Sequence, residues 1–223
     1  MSRVVYLHIG APKTGTTYLQ DRLTINAERL AEHNVLVPSG SRFVAPDTYQ
    51  FRAALDLLGQ DWGGPPGHAE GHWDGLIKRV RRARGNVIIS HEILAPAASD
   101  KIAKAMNDLE GSEIHIVYSA RDLARQLPAA WQESIKQGRT WTFRQFLKRF
   151  QAGKPWVYRA FDLPQVLNRW GANLPPQNIH VVTVPQPTQG RRRGEELWLR
   201  FCRAFDIEPG WAPLDSERAN RSL

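Results

Sequence analysis

The segment that most constrains this chain is Val4–Tyr18, VVYLHIGAPKTGTTY. A β-rich run meets Gly10, turns, and passes through Gly15, Thr16 and Thr17 into a helical pattern. A strand that bends through glycines into a helix aims backbone N–H groups and the positive helix end at one point, which makes an anion cradle. Gly15 lets the backbone approach a ligand closely, Thr16 and Thr17 bring hydroxyl donors, and Lys13 brings a mobile cation.

Four more β-rich runs follow, at Val35–Val37, Val87–Ser90, Ile114–Tyr118 and Ile179–Val184. Most are continuous apolar runs without alternation, as expected of parallel strands buried on both faces. Helical patterns lie between them. Thr16–Asn34 carries Leu19, Leu23, Ala27 and Leu30 on one stripe, and Ser99 reads as the cap of a helix with Ile102, Met106 and Leu109 inward. Leu123–Gly138, Thr142–Gln151 (capped by Thr142), Leu163–Trp170 and Glu195–Phe205 complete the set. The alternation predicts a three-layer α/β domain: a central, mostly parallel five-stranded sheet flanked by helices, with right-handed crossovers. A length of 223 residues suits one domain over 1–223. The glycine- and proline-punctuated stretch 38–75 reads as a lid or substrate insertion, or as a plain surface excursion. It holds His68 and His72, whose glycine-rich surroundings give no firm metal pair.

Composition narrows the function classes. Apolar residues make up 42% and charged residues 23%, so the chain can build a core and is no disordered segment. No apolar run approaches the roughly 20 residues of a membrane helix. The lone Cys202 excludes an intramolecular disulfide framework and a Cys-rich zinc site. The N-terminal apolar run is short for a secretory leader, so a cytoplasmic location is expected. The net charge of +8 suits an anionic ligand. The basic run Lys78–Arg84 reads as a solvated helix face with Leu76, Ile77 and Val80 inward; no nucleic-acid motif is present, so no nucleic-acid polymer is expected as a partner.

Spacing inside the loop separates two chemistries. A nucleoside-triphosphate loop reads GxxxxGK[ST]. Here the run from Gly10 is G-A-P-K-T-G-T-T, with the lysine three positions early and Thr16 in its place. The strand ends Ser90-His91-Glu92 and Ser119-Ala120-Arg121 offer Glu92 alone as an acidic group for magnesium. These residues argue against ATP or GTP hydrolysis.

Pro12-Lys13-Thr14-Gly15-Thr16-Thr17-Tyr18 resembles the 5′-phosphosulfate loop of the sulfotransferase family, bacterial type. The resemblance implies a P-loop-like fold and 3′-phosphoadenosine 5′-phosphosulfate (PAPS) as co-substrate, with no metal. It implies transfer of a sulfuryl group to a hydroxyl or amine by in-line displacement, releasing 3′-phosphoadenosine 5′-phosphate (PAP). Lys13 would meet the leaving phosphate oxygen as charge develops there. Ile114–Glu133 is similar to the family's 3′-phosphate motif: a strand delivers Arg121 to its carboxyl edge, where open α/β sheets bind ligands, and Asp122 follows. Leu123 replaces the usual proline, and Ala129 stands where a serine is expected. Losing that donor to a charged group weakens binding by roughly 1.5–3 kcal/mol.

Other positions follow from the same resemblance. Arg125 is either a second cation for the nucleotide or a solvated helix residue. Tyr18 either stacks on adenine or joins the core. Arg191-Arg192-Arg193-Gly194 is loosely similar to a basic loop that closes on the 3′-phosphate, which nominates Arg192. The base that takes the acceptor's proton is His91 or Glu92; neighbours in an extended segment point apart, so one of them faces the site. His8 reads as a core histidine. Trp131, Trp170 and Trp198 read as core, and Trp62, Trp73 and Trp156 as candidates for an acceptor pocket. The acceptor expected is a small molecule, a carbohydrate or a lipid, and the oligomeric state is open. The alternatives are a non-catalytic protein that binds 3′-phosphoadenosine nucleotides and a P-loop kinase or NTPase. Relatives of this kind tend to continue past a stretch like Arg218–Leu223, which implies a further C-terminal element.

Overall fold

The computed structural model describes residues 3–40, 46–186 and 193–214. Its five strands are β1 (Val4–His8), β2 (Val35–Leu36), β3 (Asn86–Ser90), β4 (Glu113–Ala120) and β5 (Ile179–Thr183). They form one sheet in the order β2-β3-β1-β4-β5, with every pairing parallel. The "mostly parallel" expectation thus becomes wholly parallel.

The apolar runs explain the layering. On β1, Val5 and Leu7, with Ile9 just past its end, face one core, and Tyr6 faces another. β3 and β4 do the same: Val87, Ile89, Ile116 and Tyr118 join the first core, Ile88 and Val117 the second. A strand buried on both faces has no polar side to expose, so alternation is absent from its sequence. The second core is closed by α1 (Thr16–Ile25), α2 (Ala27–Glu32) and α10 (Arg193–Phe205). The first is closed by α3 (Pro46–Leu58), α4 (His72–Arg82), α5 (Ser99–Asp108), α6 (Leu123–Lys136), α7 (Phe143–Gln151), α8 (Trp156–Phe161) and α9 (Leu163–Trp170).

Several local expectations shift. The helix expected over Thr16–Asn34 breaks at Asn26, whose side-chain amide bonds back to the Arg22 carbonyl at 2.9 Å. Such local side-chain bonding competes with helical continuation. Ala98, rather than Ser99, caps α5. Thr142 caps α7 in a full capping box with Gln145. Within 38–75, α3 and the start of α4 bury Tyr49, Leu55 and Trp73 in the first core. Trp73 therefore lines no acceptor pocket; its indole N–H donates to Asp108 at 2.7 Å. Trp170 and Trp198 are core as expected, whereas Trp131 is only half-buried. His68 and His72 each bond a backbone carbonyl instead of converging on a metal. Leu76, Ile77 and Val80 are buried on α4, which turns its basic residues outward.

At the carboxyl end of the sheet, His8 bridges three strands. Its Nδ1 lies 2.7 Å from Ser90 Oγ on β3, and its Nε2 lies 2.6 Å from Ser119 Oγ on β4. The ring is fully buried, and burial pushes its pKa down to about 3. His8 thus stays neutral, with one ring nitrogen donating and the other accepting. The unfolded chain binds a proton near the ordinary histidine pKa of about 6.5, whereas the folded chain does not. The advantage is complete above that value and is lost as pH falls toward about 3. It contributes a slope of up to about 1.4 kcal/mol per pH unit in that window. Urea unfolding of the wild type between pH 7 and 4 will show this slope, and His8→Asn will lack it.

Candidate active site

The strand order brings the site together. Because β1 lies between β3 and β4, the loop leaving β1 emerges between the ends of its two neighbours. Past β1, the chain stays tied to β4 through Ile9 N–H to the Val117 carbonyl (3.0 Å) and Ala11 N–H to the Ser119 carbonyl (2.9 Å). On the other side, His91 N–H donates to the His8 carbonyl at 3.0 Å. The loop from Gly10 to Gly15 therefore sits between Glu92 and Arg121.

Backbone conformation shapes the loop. Gly10 (φ +99°), Lys13 (φ +65°) and Gly15 (φ +92°) all adopt left-handed geometry. Gly10 is required twice over: a Cβ there would lie 2.8 Å from Glu92 Cβ and 2.9 Å from Glu92 Cα. Thr14 Oγ1 donates to the Ala11 carbonyl at 2.6 Å, and Gln126 on α6 donates to the Pro12 carbonyl at 2.7 Å. Thr14 thus braces the turn from within. Among the described residues, the amides of Lys13, Thr14, Gly15, Thr16 and Thr17 donate to no protein acceptor. Orphan donors at a helix start await an anion or water.

These residues line one cleft of about 280 Å³, with Glu92, Arg121 and Ala129 on its walls. Gly194 and Leu197 on α10, and Val184, close it from β5's side. The Arg121 guanidinium faces the loop and donates to the Lys13 carbonyl at 3.0 Å. Lys13 Nζ lies 2.8 Å from Glu133 Oε2, and this ammonium holds the Glu133 carboxyl below the usual range. Tyr18 is buried, with Arg22 donating to its hydroxyl at 2.8 Å, yet it also reaches the cleft wall.

The two base candidates diverge. His91 caps the short turn Glu92–Leu94, its Nδ1 accepting the Ile93 N–H at 3.3 Å. Burial pushes its pKa down, so the ring is neutral and carries its proton on Nε2. His91 lines a separate cavity of about 20 Å³ with Gln20 and Gln50, not the cleft. Glu92 faces the cleft, and Gln20 Nε2 donates to its Oε2 at 3.0 Å. Burial raises the Glu92 pKa, but His91, a backbone N–H and Gln20 outweigh it and hold the carboxyl below its usual range.

Arg125 points elsewhere: it bonds Gln186 and lies 4.0 Å from Asp122, outside the cleft lining. Arg192 lies outside the described residues. Three residues that sequence reasoning passed over belong to the site. Glu133, one helical turn beyond Ala129, holds Lys13. Gln20, one turn beyond Thr17, holds Glu92, and Gln126 pins Pro12. Helical spacing alone puts Glu133 and Gln20 on the faces of Ala129 and Thr17.

No protein-family model matches the chain, and no curated protein does. Among solved structures, it is similar to the crystal structure of a sulfotransferase from Alicyclobacillus acidocaldarius, with a TM-score of 0.52 and 13% identity. The match covers 98% of this chain and 88% of that one. At this identity the likeness is one of fold, and the fold is sulfotransferase-like.

Gly10→Ala will strain a left-handed backbone by about 1–3 kcal/mol and push Glu92 from the loop. A melting temperature lowered by several degrees, with weakened anion binding at the loop, is the expected result of a thermal melt with and without PAP.

Proposed function

We propose that the chain is a PAPS-dependent sulfotransferase. The observation that carries this reading is the set of unclaimed loop amides facing a cleft walled by Lys13, Arg121 and Glu92. A cradle of N–H donors at a helix start, with a lysine and an arginine, suits an adenosine nucleotide bearing anionic groups at both ends of its ribose. When bound, PAPS supplies the sulfuryl group that passes to an acceptor hydroxyl or amine.

In this reading the loop amides and Lys13 stabilise charge on the leaving phosphate oxygen, which is what placed donors and cations do for a transition state. Lys13 must first exchange Glu133 for the nucleotide. Arg121 grips the 3′-phosphate. Glu92 receives the acceptor's proton as the new O–S bond forms. Its selection over His91 rests on two facts: Glu92 lines the cleft, and His91 commits its Nδ1 to a helix cap. Arg192 stays proposed as a contact of the 3′-phosphate, whereas Arg125, which bonds Gln186 outside the cleft lining, takes no part in this reading.

One observation favours a second reading, a non-catalytic nucleotide-binding protein: Ala129 presents a methyl to the cleft where a hydroxyl donor would serve. Calorimetric titration of PAP, beside sulfuryl transfer from PAPS to a panel of hydroxyl acceptors, separates the two. Arg121→Ala will weaken PAP binding about 10- to 100-fold, matching roughly 1.5–3 kcal/mol for charged hydrogen bonds. Lys13→Ala will lower turnover about 10²–10³-fold. Ala129→Ser will tighten PAP binding. PAP affinity indifferent to Arg121→Ala would sink the assignment. Magnesium-dependent ATP hydrolysis that vanishes in Lys13→Ala would transfer the protein to the kinase and NTPase class.

A further inference from the structure

α6 does not end at the cleft. Ala129 lines the cleft, Glu133 holds Lys13 one turn later, and Lys136 follows on the same face. Lys136 is close enough to add to the depression of the Glu133 pKa. From there the chemistry of the surface changes. The stretch 134–161 contains seven basic residues and no Asp or Glu. This is no ordinary solvated helix face, where opposite charges alternate.

α7 carries this charge against its own interest. Its first turn holds Arg144 and no acidic residue, although the positive end of a helix disfavours a cation. Arg144 and Lys148 are four residues apart and both exposed, a repulsive spacing. Arg139 and Arg149 both lie over the half-buried Trp141 ring, at 5.5 and 4.5 Å from its centroid. Among the described residues neither guanidinium forms an ion pair. Two like charges are thus gathered on one indole, with no ion-pair partner among the described residues. Trp156 is 46% exposed at the head of α8, a helix that packs on α7 through Phe150 against Tyr158 and Phe161.

We propose that the α6–α7 surface binds the acceptor, and that the acceptor is an acidic carbohydrate chain. This inference rests on the sulfotransferase reading and names its substrate class. Arginine forks match carboxylates in bidentate fashion, Trp141 orients two of them, and the exposed Trp156 leaves an apolar indole face open to a sugar ring. An acidic saccharide presents hydroxyls beside its carboxylates, so a chain held along α7 and α6 delivers a hydroxyl to Glu92 and Lys13. A nucleic acid would satisfy the charge but is not required by the cleft chemistry.

The test titrates the PAP-loaded full chain with three probes: an oligosaccharide of alternating uronic acid and hexosamine, a neutral maltodextrin of equal length, and a single-stranded oligonucleotide. The double variant Arg139→Gln/Arg149→Gln is compared with Lys78→Gln/Arg82→Gln on α4, which removes the same charge elsewhere. The uronate chain should bind in a salt-sensitive manner, and the maltodextrin should not bind. Affinity should fall tenfold or more in the first variant and stay unchanged in the second. In transfer assays the first variant should raise KM for the uronate acceptor and leave kcat alone. Lys148→Gln, an exposed single change, should weaken uronate binding at least threefold and guards against misfolding of the double variant. Equal losses in both double variants, absence of uronate binding, or tighter binding of the oligonucleotide would each overturn the proposal. PAP affinity read on the same samples keeps the two readings apart: lost PAP binding indicts the sulfotransferase assignment, while intact PAP binding with indifferent uronate binding indicts the acceptor surface alone.

Discussion

The position of β1 between two parallel neighbours is the constraint from which the site follows. Parallel strands end on the same edge, so residues leaving β3, β1 and β4 emerge side by side. His8 locks those ends together with Ser90 and Ser119 just beneath the loop. A buried imidazole with both nitrogens bonded is stable only while neutral, and an unpaired one would cost roughly 1–3 kcal/mol per lost partner. The clamp keeps Glu92, the loop and Arg121 in register. The close approach of Gly10 to Glu92 leaves no room for a side chain between them.

Above this rigid floor, the charges are arranged for exchange. The Lys13–Glu133 pair is about one-third exposed on each side, and pairs of that kind contribute roughly 0–1 kcal/mol. In the proposed reading, a multiply charged anion at the loop outweighs such a pair, and Glu133 holds the lysine beside the cleft at little cost to binding. Glu92 is fixed more firmly, by Gln20 and a backbone N–H, which hold its carboxyl ionised.

Much of this was legible in the residues. Gly10 and Gly15 marked the bend from strand to helix, and apolar runs without alternation announced parallel strands. Arg121 at a strand's end foretold its place at the sheet edge, where the guanidinium does meet the loop. Elsewhere propensity misled. Asn26 broke a helix whose apolar stripe ran on, because its amide found the backbone nearby. Trp73 reads as pocket-lining in its glycine-rich setting, yet α3 and α4 pack together and bury it. Pairings such as Lys13 with Glu133, 120 positions apart, have no local signature.

The sequence by itself determined the alternation of buried strands with amphipathic helices, the bend with its early lysine, and the basic character of 134–161. Those are properties of short segments, governed by local sterics, period and charge. Only the tertiary structure decided which of His91 and Glu92 faces the cleft, that Arg125 turns away, and that Arg139 and Arg149 share one indole. Each of these depends on where a neighbouring element packs, and that is set by the whole chain burying its apolar surface at once rather than by any window of residues.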